Sequence, residues 1–313
     1  MVDGITIRPL TPGDFAEADR VRRLAFGTYF QVPDPIQFGG DGSLLLLRSR
    51  AYPDGGVVAV ADGRIVGMSF ASELGSFGML GPVAVLPDFW RQGVARLLVA
   101  ASVDIIDRWH CRLAGLFTFP QSAQHIRLYQ QFGFWPRHFT PVMAKRVAER
   151  GAIAGATRLS ASGDRAALVA RCGALADAAF PGLDLGREMA GVIDKGLGDV
   201  IALTEGSSVA AFAICHTGPD SECGSAACYI KFAFARPGPT GSERLERLIH
   251  ACEIFAATRG AQSLIAGVST GRHFAYRLLV GMGFLTERAG IQMHRPWLEA
   301  YDRPDVFALD DWR

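Results

Sequence analysis

The sequence predicts a mixed α/β protein, an α+β arrangement made of two copies of one unit, and three observations carry that prediction. Short apolar segments of strand length interleave with stretches whose apolar residues recur at helical spacing. An offset of 150 residues sets Gly13-Asp14 on Gly163-Asp164, Pro87 on Pro237 and Leu98 on Leu248. The same offset sets Arg127-Leu128 on Arg277-Leu278, Gly133-Phe134 on Gly283-Phe284 and Met143 on Met293. Finally, 313 residues at 49% hydrophobic and 20% charged give length for two domains and apolar residues for a packed core in each.

Taken in order, residues 4–10 read as a strand and 12–30 as a helix. Residues 57–61, 64–71 and 79–85 alternate or run apolar, with Asp62-Gly63 as a tight turn between the first two. Val94, Leu98, Ala101, Ile105 and Trp109 then recur on one helical face. Residues 113–118 make a short apolar strand. Ser122 can cap a helix that runs to Phe132 and stops at Gly133. A last strand lies around 141–147. The first unit is expected at 1–147, a small, Gly/Ala-rich linker at 148–156, the second unit at 157–297 and a tail at 298–313. That tail should pack across the body or onto a second chain, an arrangement compatible with a homodimer.

Composition excludes several classes. Thirty-two basic against 31 acidic residues leave no overall field to hold a phosphate backbone, so nucleic acid is not expected as a partner. The longest apolar runs, 97–103 and 209–215, fall well below the ~20 residues of a membrane span. The opening MVDGITIRPL has no basic stretch followed by an apolar one, and six cysteines are too few for a disulfide scaffold. A cytoplasmic protein with reduced thiols is expected. No Gly-Lys-Ser/Thr and no strand-linked G-x-G-x-x-G occurs.

The chemistry is expected at VAVLPDFWRQGVARLL, residues 83–98. A strand ends at Pro87, a short turn follows, and Gly93 opens a long amphipathic helix. Unpaired amides at such a helix start point outward and the helix dipole adds to them, which makes an anion site. Gly93 allows close approach to the backbone, Ala95 keeps the first turn narrow, and Arg91 and Arg96 can add charge at the rim.

WRQGVA followed by SAQHIRLYQQFGF resembles the GNAT acyltransferase superfamily. That family carries an Arg/Gln-x-x-Gly-x-Gly/Ala pyrophosphate loop and a later helix with a tyrosine shortly before Gly-Phe. Gly93 and Ala95 match the loop, and Tyr129, Gly133 and Phe134 match the helix. Trp90 stands where the loop usually has Arg or Gln, and Ser122 where the helix often has Asn. The resemblance implies tandem GNAT-like domains, each a mixed, mostly antiparallel sheet flanked by helices. It implies acetyl-CoA as co-substrate and a small-molecule or peptide amine as acceptor, with no metal. Arg91, Gln92, Gly93, Val94, Ala95 and Arg96 would hold the pyrophosphate, and Val83 and Val85 the pantetheine arm, with Ser122 nearby. The amide near Val85 would face the thioester carbonyl, and Tyr129 would protonate the leaving thiolate.

The base is less defined. Glu73 is the best single carboxylate, and His125, one turn before Tyr129, and His138 are the histidine candidates. Tyr29, Phe30, Asp34 and Phe38 are candidates for acceptor contact. In the second copy the loop position is held by Thr240, Gly241, Ser242 and Glu243, and Leu279 replaces Tyr129. A carboxylate there repels pyrophosphate, so residues 157–297 read as a degenerate copy without cofactor. Cys215, His216, Cys223 and Cys228 have no spacing that suits zinc, and the cysteines are read as buried thiols on a strand hairpin. The alternative function is a non-catalytic acyl-CoA-binding module.

Overall fold

The computed structural model describes residues 4–148 and 151–313. Residues 1–3 of the expected first unit and 149–150 of the expected linker lie outside them. The first half runs β1 (Ile5–Pro9), α1 (Phe15–Tyr29), α2 (Leu44–Ala51), β2 (Gly56–Ala61), β3 (Arg64–Leu74), β4 (Phe77–Val85), α3 (Val94–Arg108), β5 (Leu113–Thr118), α4 (Ala123–Gln130), β6 (Trp135–Phe139) and β7 (Val142–Arg146). The second half runs β8 (Ala156–Arg158), α5 (Arg165–Ala179), α6 (Gly186–Asp194), β9 (Gly198–Glu205), β10 (Ser208–Thr217), β11 (Ala227–Ala235), α7 (Gly241–Thr258), β12 (Ser263–Gly267), α8 (His273–Gly281), β13 (Leu285–Arg288) and β14 (Ile291–Arg295). A short strand, β15 (Phe307–Leu309), lies in the tail.

Two elements differ from expectation. Helix α2 opens on four consecutive leucines, which carry no period, and it forms because Ser43 caps it and Leu45 and Leu47 bury against the shared core. Strand β6 contains Pro136 and buries none of its residues fully, which an edge strand tolerates.

The duplication is visible in three dimensions. α1 and α5, and β4 and β11, are spaced by the same 150 residues. The β2–β3 turn at Asp62-Gly63, however, corresponds to Gly206-Ser207. The residues lost before that hairpin return after it, in a nine-residue connection at 218–226 that replaces the two-residue turn between β3 and β4. That longer connection reaches the first half: Ser43 N–H bonds to Ser221 O at 2.9 Å, and Asp220 N–H to Asp41 O at 2.9 Å.

The sheets do not divide at the linker. The first has the order β1-β2-β3-β4-β5-β14-β6, and the second β13-β7-β12-β11-β10-β9-β8 with β15 against β11. Each half gives its last strand to the other. β14 lies antiparallel between β5 and β6, with Met293 opposite Leu116. β7 lies antiparallel between β12 and β13, with Ala144 opposite Ile265. The sheets face each other across one core that holds Phe70, Phe77, Phe180, Phe212, Tyr301 and Trp312. Helices α3 and α7 cover the outer faces through separate clusters.

Candidate active site

Strand β4 is made to be open on one side. Its parallel pairing with β5 ends at Leu80 opposite Leu116, whereas β4 itself continues to Val85. On the other side it stays paired to β3, with a register shift near Gly81 and Pro82. Leu86 N–H bonds to Val66 O at 2.9 Å. Bonded and non-bonded positions alternate in an antiparallel ladder. Because Val85 lies opposite Gly67 and Val83 opposite Ser69, their N–H and C=O groups point away from β3, toward the gap left by β5. The Trp90 indole agrees with this geometry: its Nε1–H donates to Val85 O at 2.7 Å. The residue that departs from the usual loop pattern therefore ties the loop to the strand end.

Beyond the strand, Arg91 and Gly93 take left-handed conformations at φ 62° and 84°. Gly93 is the N-cap of α3 and carries no side-chain cap. The first amides of α3 therefore have no side-chain partner at the cap, and the absent Cβ leaves their approach clear. Gln92 turns back, its Nε2 donating to Asp88 O at 2.7 Å.

Strand edge and helix start both line a cavity of about 860 Å³. Val83, Val85, Arg91, Gly93, Val94, Ala95, Arg96 and Tyr129 reach it, as do the acceptor candidates Tyr29, Phe30 and Phe38. Tyr129 is buried on α4, its hydroxyl makes no hydrogen bond to another described residue, and desolvation pushes its phenol well above the ordinary range. His125, one turn earlier, packs its ring 5.4 Å from that of Tyr29, and burial lowers its pKa. The pair is thus a neutral imidazole beside a protonated phenol at neutral pH.

Several expected residues are elsewhere. Glu73 is not at the cavity. It sits beside the β3–β4 turn, where Ser76 Oγ donates to Pro181 O at 2.7 Å and Gly75 bridges Leu183. That docking on the second half leaves Glu73 paired with Arg187 at 3.4 Å. Ser122 is the buried N-cap of α4, but its side chain makes no cap bond and does not line the cavity. Gln92 is spent on Asp88 and is also outside the lining. Asp34 is exposed at the start of a short 3-10 turn, and His138 packs against Gly271.

The second half supplies what the sequence reading did not foresee. Glu222, Cys223, Ala226, Tyr229, Arg288 and Arg313 line the same cavity. Arg48 of α2 grips Glu222 at 3.0 and 3.1 Å and also donates to Gly81 O and Arg313 O. Lys231 bridges Glu222 at 2.6 Å and Glu188 at 2.9 Å, and Tyr52 donates to Glu188 at 3.1 Å. The two cations hold the Glu222 carboxyl far below the usual carboxylate range against the penalty of burial. The 218–226 insertion, visible as a break in the repeat register, was the available signal for this contribution.

In the second half the corresponding strand edge is filled. β11 pairs with β12 through Ile230 opposite Ala266, and beyond that β15 takes the gap, with Ala233 opposite Leu309 and Ala235 opposite Phe307. At the offset of 150, these positions match Val83 and Val85. The Phe307 ring also fills the place a Cβ on Gly241 would take, so it covers the start of α7. Among the described residues no group of three His, Cys, Asp or Glu could hold a metal, and all six cysteines are free.

Residues 22–134 match the Acetyltransferase (GNAT) family. That match lies within the first half of the chain. Solved structures extend the likeness of fold to the whole length. A putative acetyltransferase from Pyrococcus horikoshii superimposes with a TM-score of 0.73 at 15% identity, over 99% of this chain and 95% of that one. A GCN5-related N-acetyltransferase from Sphaerobacter thermophilus gives 0.61 at 18%, over 96% and 98%. A tandem GNAT protein from the clavulanic acid biosynthesis pathway gives 0.58 at 12%, over 93% and 98%. No curated protein matches the sequence. No helix among the described residues is long and apolar enough to cross a membrane.

Proposed function

We propose that the chain is an acetyl-CoA-dependent N-acetyltransferase that acts on a primary amine of a small molecule or peptide, with both substrates bound together in the cavity that β4 and α4 line and the second half completes. The observation that carries this reading is the open edge of β4, which leads from the helix start at Gly93 into the cavity beside Tyr129. In this reading the amides of Gly93, Val94 and Ala95 receive the pyrophosphate, with Arg91 and Arg96 at the rim. The outward N–H and C=O of Val83 and the outward N–H of Val85, whose C=O is held by Trp90, align the pantetheine arm. Acetyl-CoA supplies an acetyl group activated as a thioester.

The chain's own groups then have three tasks. An amine with a pKa near ~10 must lose a proton as the C–N bond forms. His125, held neutral by burial, accepts that proton directly or through one water. An N–H at Val85 or Val83 meets the charge that grows on the carbonyl oxygen, a contribution of about 3 kcal/mol for a well-placed donor. Tyr129 donates its phenolic hydrogen toward sulfur as the C–S bond breaks. Its raised pKa makes full early transfer uphill, so it works as a hydrogen bond that strengthens with the developing thiolate. A purely binding role gives no task to an unpartnered phenol and imidazole one turn apart. The six free thiols accord with a cytoplasmic setting.

With β15 in its slot and Glu243 at its helix start, the second half takes no acyl-CoA in this reading. Calorimetric titration of acetyl-CoA is expected to give one site per chain, lost in Gly93→Glu. Two sites, or a site that survives that substitution, would overturn the assignment.

A further inference from the structure

The acceptor end of the cavity carries cations that its own carboxylates do not neutralise. Two carboxylates line it. Glu222 is held by Arg48 and Lys231, and Asp41 accepts from the N–H and Oγ of Ser225 at 2.9 and 2.6 Å. Neither is free to receive an ammonium group. Arg313 is paired with Asp311 at 3.0 Å and stacks over Tyr229.

Two guanidinium groups remain less satisfied. Arg22 is 2% exposed. Its Nε donates to Asp19, but its buried Nη2 makes no hydrogen bond, although it lies 2.8 Å from the same carboxylate oxygen. Arg288, at the end of β13, makes no hydrogen bond or ion pair with another described residue. Its Cζ lies 4.7 Å from the centre of the Phe30 ring. Both line the cavity, and contacts link them along one wall. The side chain of Arg22 lies against Gly39, the Phe38 ring stacks on Phe30 at 5.7 Å, and Phe30 underlies Arg288. Arg22 has Asp19 as its counter-charge. At Arg288, burial and the neighbouring Arg313 outweigh the charges of Asp311 and Glu287, so a half-buried cation with no carboxylate in contact gains from a ligand that brings one. Around it, Phe26, Tyr29, Phe30, Phe38 and Phe119 form a continuous aromatic cluster.

We propose that the acceptor is an amine that also bears a carboxylate, an amino-acid-like compound with an apolar or aromatic body, whose carboxylate is received by Arg288 with Arg22 behind it. This rests on the acetyltransferase reading and narrows it. The reaction remains balanced: the acceptor amine gains the acetyl group and loses a proton, and coenzyme A leaves as its thiol. The carboxylate has a second conceivable source, a dicarboxylic acyl group on coenzyme A. The cationic wall belongs to α1, its following loop and β13 and not to β4 or α3, which hold coenzyme A in the proposed function, and this favours the acceptor.

The test uses the full chain and the release of coenzyme A thiol. L-Phenylalanine and L-leucine are compared with phenethylamine and isoamylamine, which lack the carboxylate, using acetyl-CoA and, separately, succinyl-CoA. With acetyl-CoA, kcat/KM is expected to favour the amino acids by about 10- to 100-fold, the range of one charge-assisted contact. In Arg288→Met that ratio should collapse toward one, mainly through KM. Arg288→Lys should recover part of it, which lost packing on Phe30 alone would not allow. Turnover of the amines with no preference for the carboxylated members would overturn this inference and leave the acetyltransferase intact. So would a preference for succinyl-CoA that depends on Arg288. Acetyl-CoA binding without turnover of any amine would remove both readings.

Discussion

His125 and Tyr129 sit one turn apart on α4 and are shifted in opposite directions by the same burial. For the imidazole, desolvation disfavours the cation, so its pKa falls below the ordinary ~6.5 and the neutral base dominates at physiological pH. Activity should therefore rise with pH through a limb that lies below pH ~6.5 and stay level above it until other groups titrate. His125→Gln is expected to abolish that limb and lower kcat by about 100-fold or more, as read from kcat/KM and kcat against pH. A limb that survives the substitution would assign the base elsewhere. Tyr129 was legible in the sequence because its distance to Gly133-Phe134 is local. Glu73 lies on the expected hairpin, but at the end away from the cavity. What decides its environment is Arg187, 114 residues away. Arg22 and Arg288 were not legible at all, since what marks them is a buried Nη2 left without a hydrogen bond and a guanidinium without an ion pair, which no local spacing shows.

At the scale of elements, the strand–turn–helix of β4 and α3 could be read almost completely. Its amphipathic period, its proline stop and its glycine start are all short-range signals. Helix α2 could not, because an aperiodic leucine run has no preferred face until a core surrounds it. Yet α2 supplies Arg48, the residue that joins the cavity wall of the first half to Glu222 of the second. Arg48 and Glu222 are both essentially inaccessible to solvent. Arg48→Met should destabilise the protein by about 3–5 kcal/mol, because it leaves Glu222 buried with one cation instead of two. Urea unfolding followed by circular dichroism measures this, and a loss under about 1 kcal/mol would mean that solvent reaches Glu222. The same comparison of elements explains why the second copy differs. The substitution at Glu243 was visible in the sequence, but the stronger obstruction, β15 lying along Ala233 and Ala235, is a contact between residues more than 70 positions apart.

For the whole molecule, the repeat was legible as a register, and the exchange of last strands was not. β7 and β14 have similar apolar patterns, and nothing local says which of two equivalent slots each will occupy. The exchange makes a direct prediction. A protease cut within 148–156 should leave the two pieces bound in one particle with the size of the intact chain, because each piece is laddered on both sides into the other's sheet. Gel filtration of the nicked protein reads this, and separation into two folded halves would contradict the topology.

The strand exchange also bears on what can change over generations. A duplicated domain is ordinarily free to decay or be deleted when nothing else depends on it. Here the first half depends on its twin for β14 and for Glu222 and Arg288 at the cavity. Selection can vary the strand edge under β15 and the residues that the second copy gives to the cavity, but it cannot discard the copy. Such a partner is a reservoir for change: residues away from the ladder are free to vary, while its borrowed strand keeps it in place.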